Sequence, residues 1–156
     1  MADQSELNAV LDVEQLDDFI GYNIKRIYLT VQADMRRVLD PHSLSPSAFA
    51  TLSLVMRNPG ITQSEVARQL GIERSGLVAL VDKLENRDFV NRKPVPGDRR
   101  VQALHPTQSG RAAYQIVLRD VQAHELRMFG ALGDDERVAM LSMLAKLRKT
   151  SEEDME

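Results

Sequence analysis

The chain has 156 residues, 43% of them hydrophobic and 28% charged, a composition that suits one globular unit and excludes a collagenous or wholly disordered chain. It has no cysteine, so a disulfide framework, a thiolate zinc site and a thiol redox switch are all excluded. The net charge of −3 conceals a division, because Arg57 to Arg111 is net +4 while the rest of the chain is net −7.

A basic middle between acidic arms is the footprint expected of a protein with a polyanionic partner. The alternative is chance clustering on a solvated surface, and charge alone does not choose. The opening MADQSELNAV has neither a basic n-region nor an apolar h-region. No run approaches the roughly 18 apolar residues that cross a bilayer, so the expectation is a cytoplasmic protein without a membrane partner.

Ile20, Ile24, Ile27, Val31, Met35 and Val38 recur at steps of four and three, which predicts a long amphipathic helix from about Leu16 to Leu39. Asp40-Pro41 ends it. Ser45 then stands as an N-cap with Pro46 at the first helical position, and Phe49, Leu52 and Met56 give a second helix its buried face. Asn58-Pro59-Gly60 closes that helix.

Thr62 and Glu65 form a capping box that starts a short helix with Val66 and Leu70 turned inward. Gly71 supplies the left-handed residue of a tight reversal, and a further helix runs from Glu73 to about Arg87. Its stripe is Leu77, Leu80, Val81 and Leu84, leaving Arg74, Ser75, Val78, Ala79, Asp82 and Lys83 facing out. Two short helices joined in this way fit a helix-turn-helix whose second helix enters a major groove; an αα-hairpin that only builds core is the alternative.

The next segment favours the first reading. The chain runs extended through Asn91-Arg92-Lys93, turns at Pro94 to Gly97 and returns through Val101 to Leu104. Such a hairpin, carrying Arg92, Lys93, Arg99 and Arg100, suits a wing that reaches the backbone and the neighbouring minor groove. Exposed charge contributes little to folding and much to phosphate neutralisation. Asp98, two residues before Arg100, is placed to orient that guanidinium through a bidentate bond.

The run LGIERSGLVALVDKLENRDFVNRKPVPGDRRVQALHPTQSGR resembles the MarR family of winged helix-turn-helix regulators, in its recognition helix, its Asp-x-Arg wing and its Thr-x-x-Gly start of the following helix. The resemblance implies that Arg74, Ser75, Val78 and Ala79 face the bases while Gly76 allows close backbone approach. It implies that Arg100 enters the minor groove with Asp98 steering it, and that Thr62, Gln63, Ser64 and Arg68 meet phosphates. Many members carry Thr or Ser where Gly76 and Val78 stand and Arg or Lys where Ala79 stands, so readout here leans on thymine methyls and DNA shape. Phe89 stands where a glycine is frequent, and Asn86-Arg87-Asp88 supplies the helix exit instead.

Thr107 caps a helix to about Gly130 with Tyr114, Val117, Leu118 and Val121 on one face, and Gly133 with Asp134, Asp135 and Glu136 opens a last helix. Leu16 and Ile20 at one end and Val138, Leu141, Leu144 and Leu147 at the other exceed what one small winged unit needs. An intertwined homodimer is the expectation, with a single monomeric core as the alternative; in the family such helices present two recognition helices to a pseudo-palindrome. The division expected is 1–44 for the N-terminal arm and dimerisation helix, 45–106 for the DNA-binding lobe and 107–156 for the C-terminal dimerisation helices. The fold class is mainly α with a small two- or three-stranded β wing.

Family members bind small anionic or aromatic effectors, and the resemblance offers Tyr28, Arg36, His42, Phe49 and Tyr114 as candidate lining. His42, His105 and His124 have no i,i+4 partner, so neither a metal nor a cofactor is expected; His124 is read as a hydrogen-bonded residue at the dimer edge. No Gly-rich phosphate loop, HExxH or GxSxG occurs, so no enzyme is expected. The reading is a double-stranded-DNA-binding regulator, a repressor relieved by ligand, acting as a homodimer. The alternative is a dimeric protein-interaction module, favoured by the low polarity of Gly76, Val78 and Ala79 and opposed by the basic wing.

Overall fold

The structure is a computed structural model that describes residues 15–153. Residues 1–14 and 154–156, and the side chains of Arg99 and residues 150–153, lie outside the described residues. In chain order the elements are α1 (Ile20–Leu39), α2 (Pro46–Arg57), β1 (Ile61–Thr62), α3 (Gln63–Leu70), α4 (Arg74–Asn86), β2 (Val90–Val95), β3 (Asp98–Pro106), α5 (Gln108–Phe129) and α6 (Asp134–Glu153).

The long first helix expected from Leu16 is broken near its start. Leu16–Asp18 is a 3-10 turn, and Phe19 is extended before α1 begins at Ile20. The Asn23 side chain braces the break, donating to the carbonyls of Asp17 at 2.6 Å and Phe19 at 3.0 Å. The apolar stripe of α1 divides in two. Met35 and Leu39 pack into the core, whereas Ile20 is 70% exposed and Ile24 and Ile27 are also exposed.

Helix α2 starts as its residues dictate: Ser45 Oγ accepts from the Ala48 N–H at 3.1 Å, and Pro46 occupies the first turn. Leu52 and Val55 are fully buried, while Phe49 and Met56, expected beside Leu52, are half-buried at the rim. The capping box of α3 is complete. Thr62 Oγ1 accepts from the Glu65 N–H at 3.3 Å, and Glu65 Oε2 accepts from the Thr62 N–H at 2.8 Å and its hydroxyl at 2.6 Å. The bond from the Thr62 hydroxyl is the main reason the Glu65 carboxyl is held below its ordinary range. Gly71, at φ +61°, closes α3 and turns the chain into α4.

The sheet has three antiparallel strands in the order β1-β3-β2. Ile61 faces Leu104 across β1 and β3, and Arg92 faces the same Leu104 from the other side. The hairpin reversal is tighter than expected. Pro94 and Val95 stay in β2, with an irregularity between them, and the turn narrows to Pro96 and Gly97, the latter at φ +88°. Because β2 is an edge strand, Pro94 removes no bond that the sheet needs.

Leu39, Leu52, Val55, Val66, Leu77, Val81, Leu84, Val90 and Leu104 form the centre of one core that joins α1 to the winged lobe. The exit from α4 runs through Asp88 in the left-handed region, φ 55°, the service that Gly71 performs for α3. The Thr107 N–H then donates to the Phe89 carbonyl at 3.1 Å, and Thr107 Oγ1 caps Gly110 at 2.8 Å. A Cβ on Gly110 would fall 2.0 Å from the Phe89 carbonyl oxygen, so this glycine is required by the packing of α5 against the start of the wing.

Candidate nucleic-acid interface

Helix α4 is anchored by buried Leu77, Val81 and Leu84 and turns Arg74, Ser75, Gly76, Val78, Ala79 and Lys83 to solvent. A Cβ at Gly76 would meet nothing within 4 Å. The fold itself therefore has no need of a glycine there, which fits a position kept bare for a close external surface. Supporting helix α3 exposes Ser64 and Arg68, while Gln63 is half-buried. The Thr62 hydroxyl, expected at a phosphate, donates to Glu65 in the free chain, while Ser64 and Arg68 are exposed side chains of α3.

In the wing, Lys93 is exposed and the Arg100 side chain is 95% exposed. Asp98 accepts the Arg100 backbone N–H at 3.0 Å, and the same oxygen lies 3.7 Å from Arg100 Nε. The expected bidentate bond to the guanidinium is absent. At 3.7 Å the guanidinium contact is an ion pair rather than a hydrogen bond, so Asp98 fixes the backbone from which Arg100 projects and leaves its planar head to solvent. The Arg99 side chain lies outside the described residues.

Arg92 departs furthest from expectation. Its side chain is only 19% exposed. It donates to Glu85 and, at 2.5 Å, to Asp82, with the carbonyl of Val78 3.4 Å away, while its backbone N–H meets Glu85 at 3.1 Å. Arg92, expected as a phosphate contact, has its cation turned onto the recognition helix in the free chain. Strand periodicity alone does not reveal this, but it accounts for it once the burial of Val90 is known. Residues two apart on a strand share a face, so a buried Val90 carries Arg92 inward with it, and Asp82 and Glu85 are one helical turn apart.

Two of the five candidate effector residues meet directly. Phe49 and Tyr114 stack at 5.8 Å between centroids, His42 Nε2 pairs with Asp120 at 2.7 Å, and Arg36 is exposed. Tyr28 alone of the five lines a cleft of about 690 Å³, which is bounded by Ile24, Ile27 and Val31 of α1, Phe129 of α5 and Leu141 of α6. The dimerisation candidates Leu16, Ile20, Val138, Leu141, Leu144 and Leu147 are all exposed apolar side chains, and Ile20, Leu141 and Leu144 border the same cleft.

His124 is not at an edge. It is fully buried, with Nδ1 2.7 Å from Asp34 Oδ2, and Arg127 and Arg37 also donate to that carboxylate. The bond from His124 and then that from Arg37 hold the Asp34 carboxyl far below the ordinary carboxylate range. Sequence periodicity found the stripe on which His124 lies; its partner, 90 residues away, is visible only in three dimensions.

Among the described residues no helix is long and apolar enough to cross a membrane. A family model described as the MarR family matches residues 42–101. The chain is similar to the transcriptional repressor CouR bound to a 23-mer DNA duplex, at 40% identity, covering 88% of this chain and 98% of that one with a TM-score of 0.80. It is similar to CouR from Rhodococcus jostii RHA1 bound to p-coumaroyl-CoA, at 30% identity over 86% of this chain and 94% of that one, also with a TM-score of 0.80. Among curated proteins, the HTH-type transcriptional repressor NicR of Pseudomonas putida is 28% identical over 85% of this chain and 84% of its own length. With its helix-turn-helix, its Asp-x-Arg wing and a relative at 40% identity that it covers almost end to end, the chain belongs to the MarR family.

Proposed function

We propose that this protein is a transcriptional repressor that binds double-stranded DNA as a homodimer at a pseudo-palindromic operator and is released by a small effector. The observation that carries the reading is the pairing of an outward face on α4 with the exposed Arg100 on the adjacent wing, the two parts that meet a major groove and the minor groove beside it. Arg74, Ser75, Val78, Ala79 and Lys83 are the proposed groove-facing set, with Arg68, Ser64 and Lys93 at phosphates. Residues 45–106 form the proposed DNA-binding lobe, and the segments on either side form the dimer.

The exposed apolar faces of α1 and α6 support a second copy of the chain as their cover, since patches of this kind mark protein interfaces. Similarity to a repressor structure holding p-coumaroyl-CoA supports an aromatic acyl thioester as the effector class, both anionic and aromatic. The proposed setting is the cytoplasm, and the proposed role is binding without chemistry. The test is selection of duplexes from a random pool with the purified protein, then gel-shift titration of the selected duplex with and without p-coumaroyl-CoA. A selected palindrome released by the thioester supports the reading. Failure to enrich any sequence favours the protein-interaction module.

A further inference from the structure

We infer that Arg92 is the positioning residue that locks the wing to the recognition helix, so that Arg100 and α4 are presented to DNA as one rigid unit. The inference rests on the DNA-binding reading above and deepens it. Arg92 stands on β2, the strand that leads into the wing, and its guanidinium reaches back to α4, where it bonds Asp82 and Glu85 and lies 3.4 Å from the Val78 carbonyl. Glu85 closes the arrangement by accepting the Arg92 backbone N–H at 3.1 Å, so strand and helix are tied through main chain and side chain together.

Three features make this more than a surface ion pair. The fork reaches across about two turns of the helix that reads DNA and ends on the carbonyl of Val78, one of the proposed base-facing residues. The Arg92 side chain is largely removed from water, where charge-assisted bonds are strongest. The one positive charge also offsets half of the negative charge that Asp82 and Glu85 put on the DNA-facing helix, charge that would otherwise repel phosphates more strongly. Only a planar, multi-donor head satisfies two carboxylates and a carbonyl at once. A flexible wing would lose affinity by having to be ordered on binding; the clamp orders it beforehand.

The experiment is a double-mutant cycle on the dimer and the selected operator at one fixed salt concentration, using Arg92→Lys, Arg100→Ala and the pair. Lysine keeps the cation that a phosphate contact needs but not the fork. The expected result is an about tenfold loss for Arg92→Lys, most of which disappears in the Arg100→Ala background because the wing then has less to deliver. Wild-type affinity for Arg92→Lys, or losses that simply add, would overturn the inference. Asp82→Asn is the second variant: it sits on a half-exposed carboxylate and leaves the Glu85 bonds in place, so folding is retained. A small loss that depends on Arg100 supports the clamp, whereas tighter binding would mean that Asp82 acts only by repelling phosphate. If the wild type binds no selected duplex, the DNA-binding reading itself fails; if Arg100→Ala weakens binding while Arg92→Lys does not, only the clamp fails.

Discussion

His124 Nδ1 lies 2.7 Å from Asp34 Oδ2 with the imidazole fully buried, and this bond ties the last turns of α5 to the last turns of α1. Asp34 carries Arg127 on the same oxygen at 3.1 Å and Arg37 on the other. The carboxylate is thus the hub between a helix that enters the core and a helix whose ends reach towards the exposed apolar face.

The first prediction concerns that hub. The folded state holds the Asp34 carboxyl below its ordinary value of 3.8, so its contribution to stability is fully present above about pH 5 and is lost progressively as pH falls below that, where the unfolded chain takes up a proton that the folded carboxyl does not. Asp34→Asn abolishes this dependence. Melting temperature followed from about pH 6 to about pH 3 should fall more steeply for the wild type than for the variant, and parallel curves would refute the assignment. His124→Ala, which empties a buried site and removes one of the three donors to Asp34, should cost about 2–4 kcal/mol in denaturant unfolding.

Gly110 supplies the second. Because a Cβ there would stand 2.0 Å from a backbone oxygen, Gly110→Ala forces α5 away from Phe89 and should cost about 1–3 kcal/mol. Gly76→Ala meets nothing within 4 Å and should leave the melting temperature unchanged or raise it while weakening operator binding. The contrast separates a glycine kept for packing from one kept for DNA, and equal effects of the two on stability would contradict it.

The third is the assembly. Sedimentation at micromolar concentration should give about twice the 17.5 kDa chain mass. Leu141, 60% exposed in the single chain and at the border of the apolar cleft, should be covered in the dimer. Leu141→Glu then places a charge in an apolar interface at a cost of several kcal/mol, giving aggregated or unfolded protein; a well-folded monomer at wild-type stability would rule the interface out.

The fourth is read in salt and in groove width. Log affinity should fall against log salt with a slope of about −0.9 per phosphate neutralised. Arg100→Ala should weaken operator binding substantially, most on duplexes whose A·T-rich flanks narrow the minor groove. Asp98→Ala should act in the same direction but less, because it removes the restraint on the Arg100 backbone and leaves the cation. Undiminished affinity for Arg100→Ala would leave the charge of the wing without a role.

Local chemistry determined much of this molecule in advance. Ser45-Pro46, the Thr62/Glu65 box, Gly71 and Thr107 each start or stop a helix through bonds within four residues, so their roles could be read without a fold. The stripe on α4 named its buried and outward faces correctly, because a period of 3.6 belongs to the backbone and not to its neighbours. What only tertiary structure decided were relations across long separations: His124 with Asp34, Phe49 with Tyr114, Gly110 with Phe89, and the turning of Arg92 from solvent to α4. Composition marked Arg92 as one more cation in a basic wing. Its partners were set by the hand and register of the hairpin, which bring β2 against the helix before it, and a charge follows the nearest carboxylates rather than the average sign of its segment.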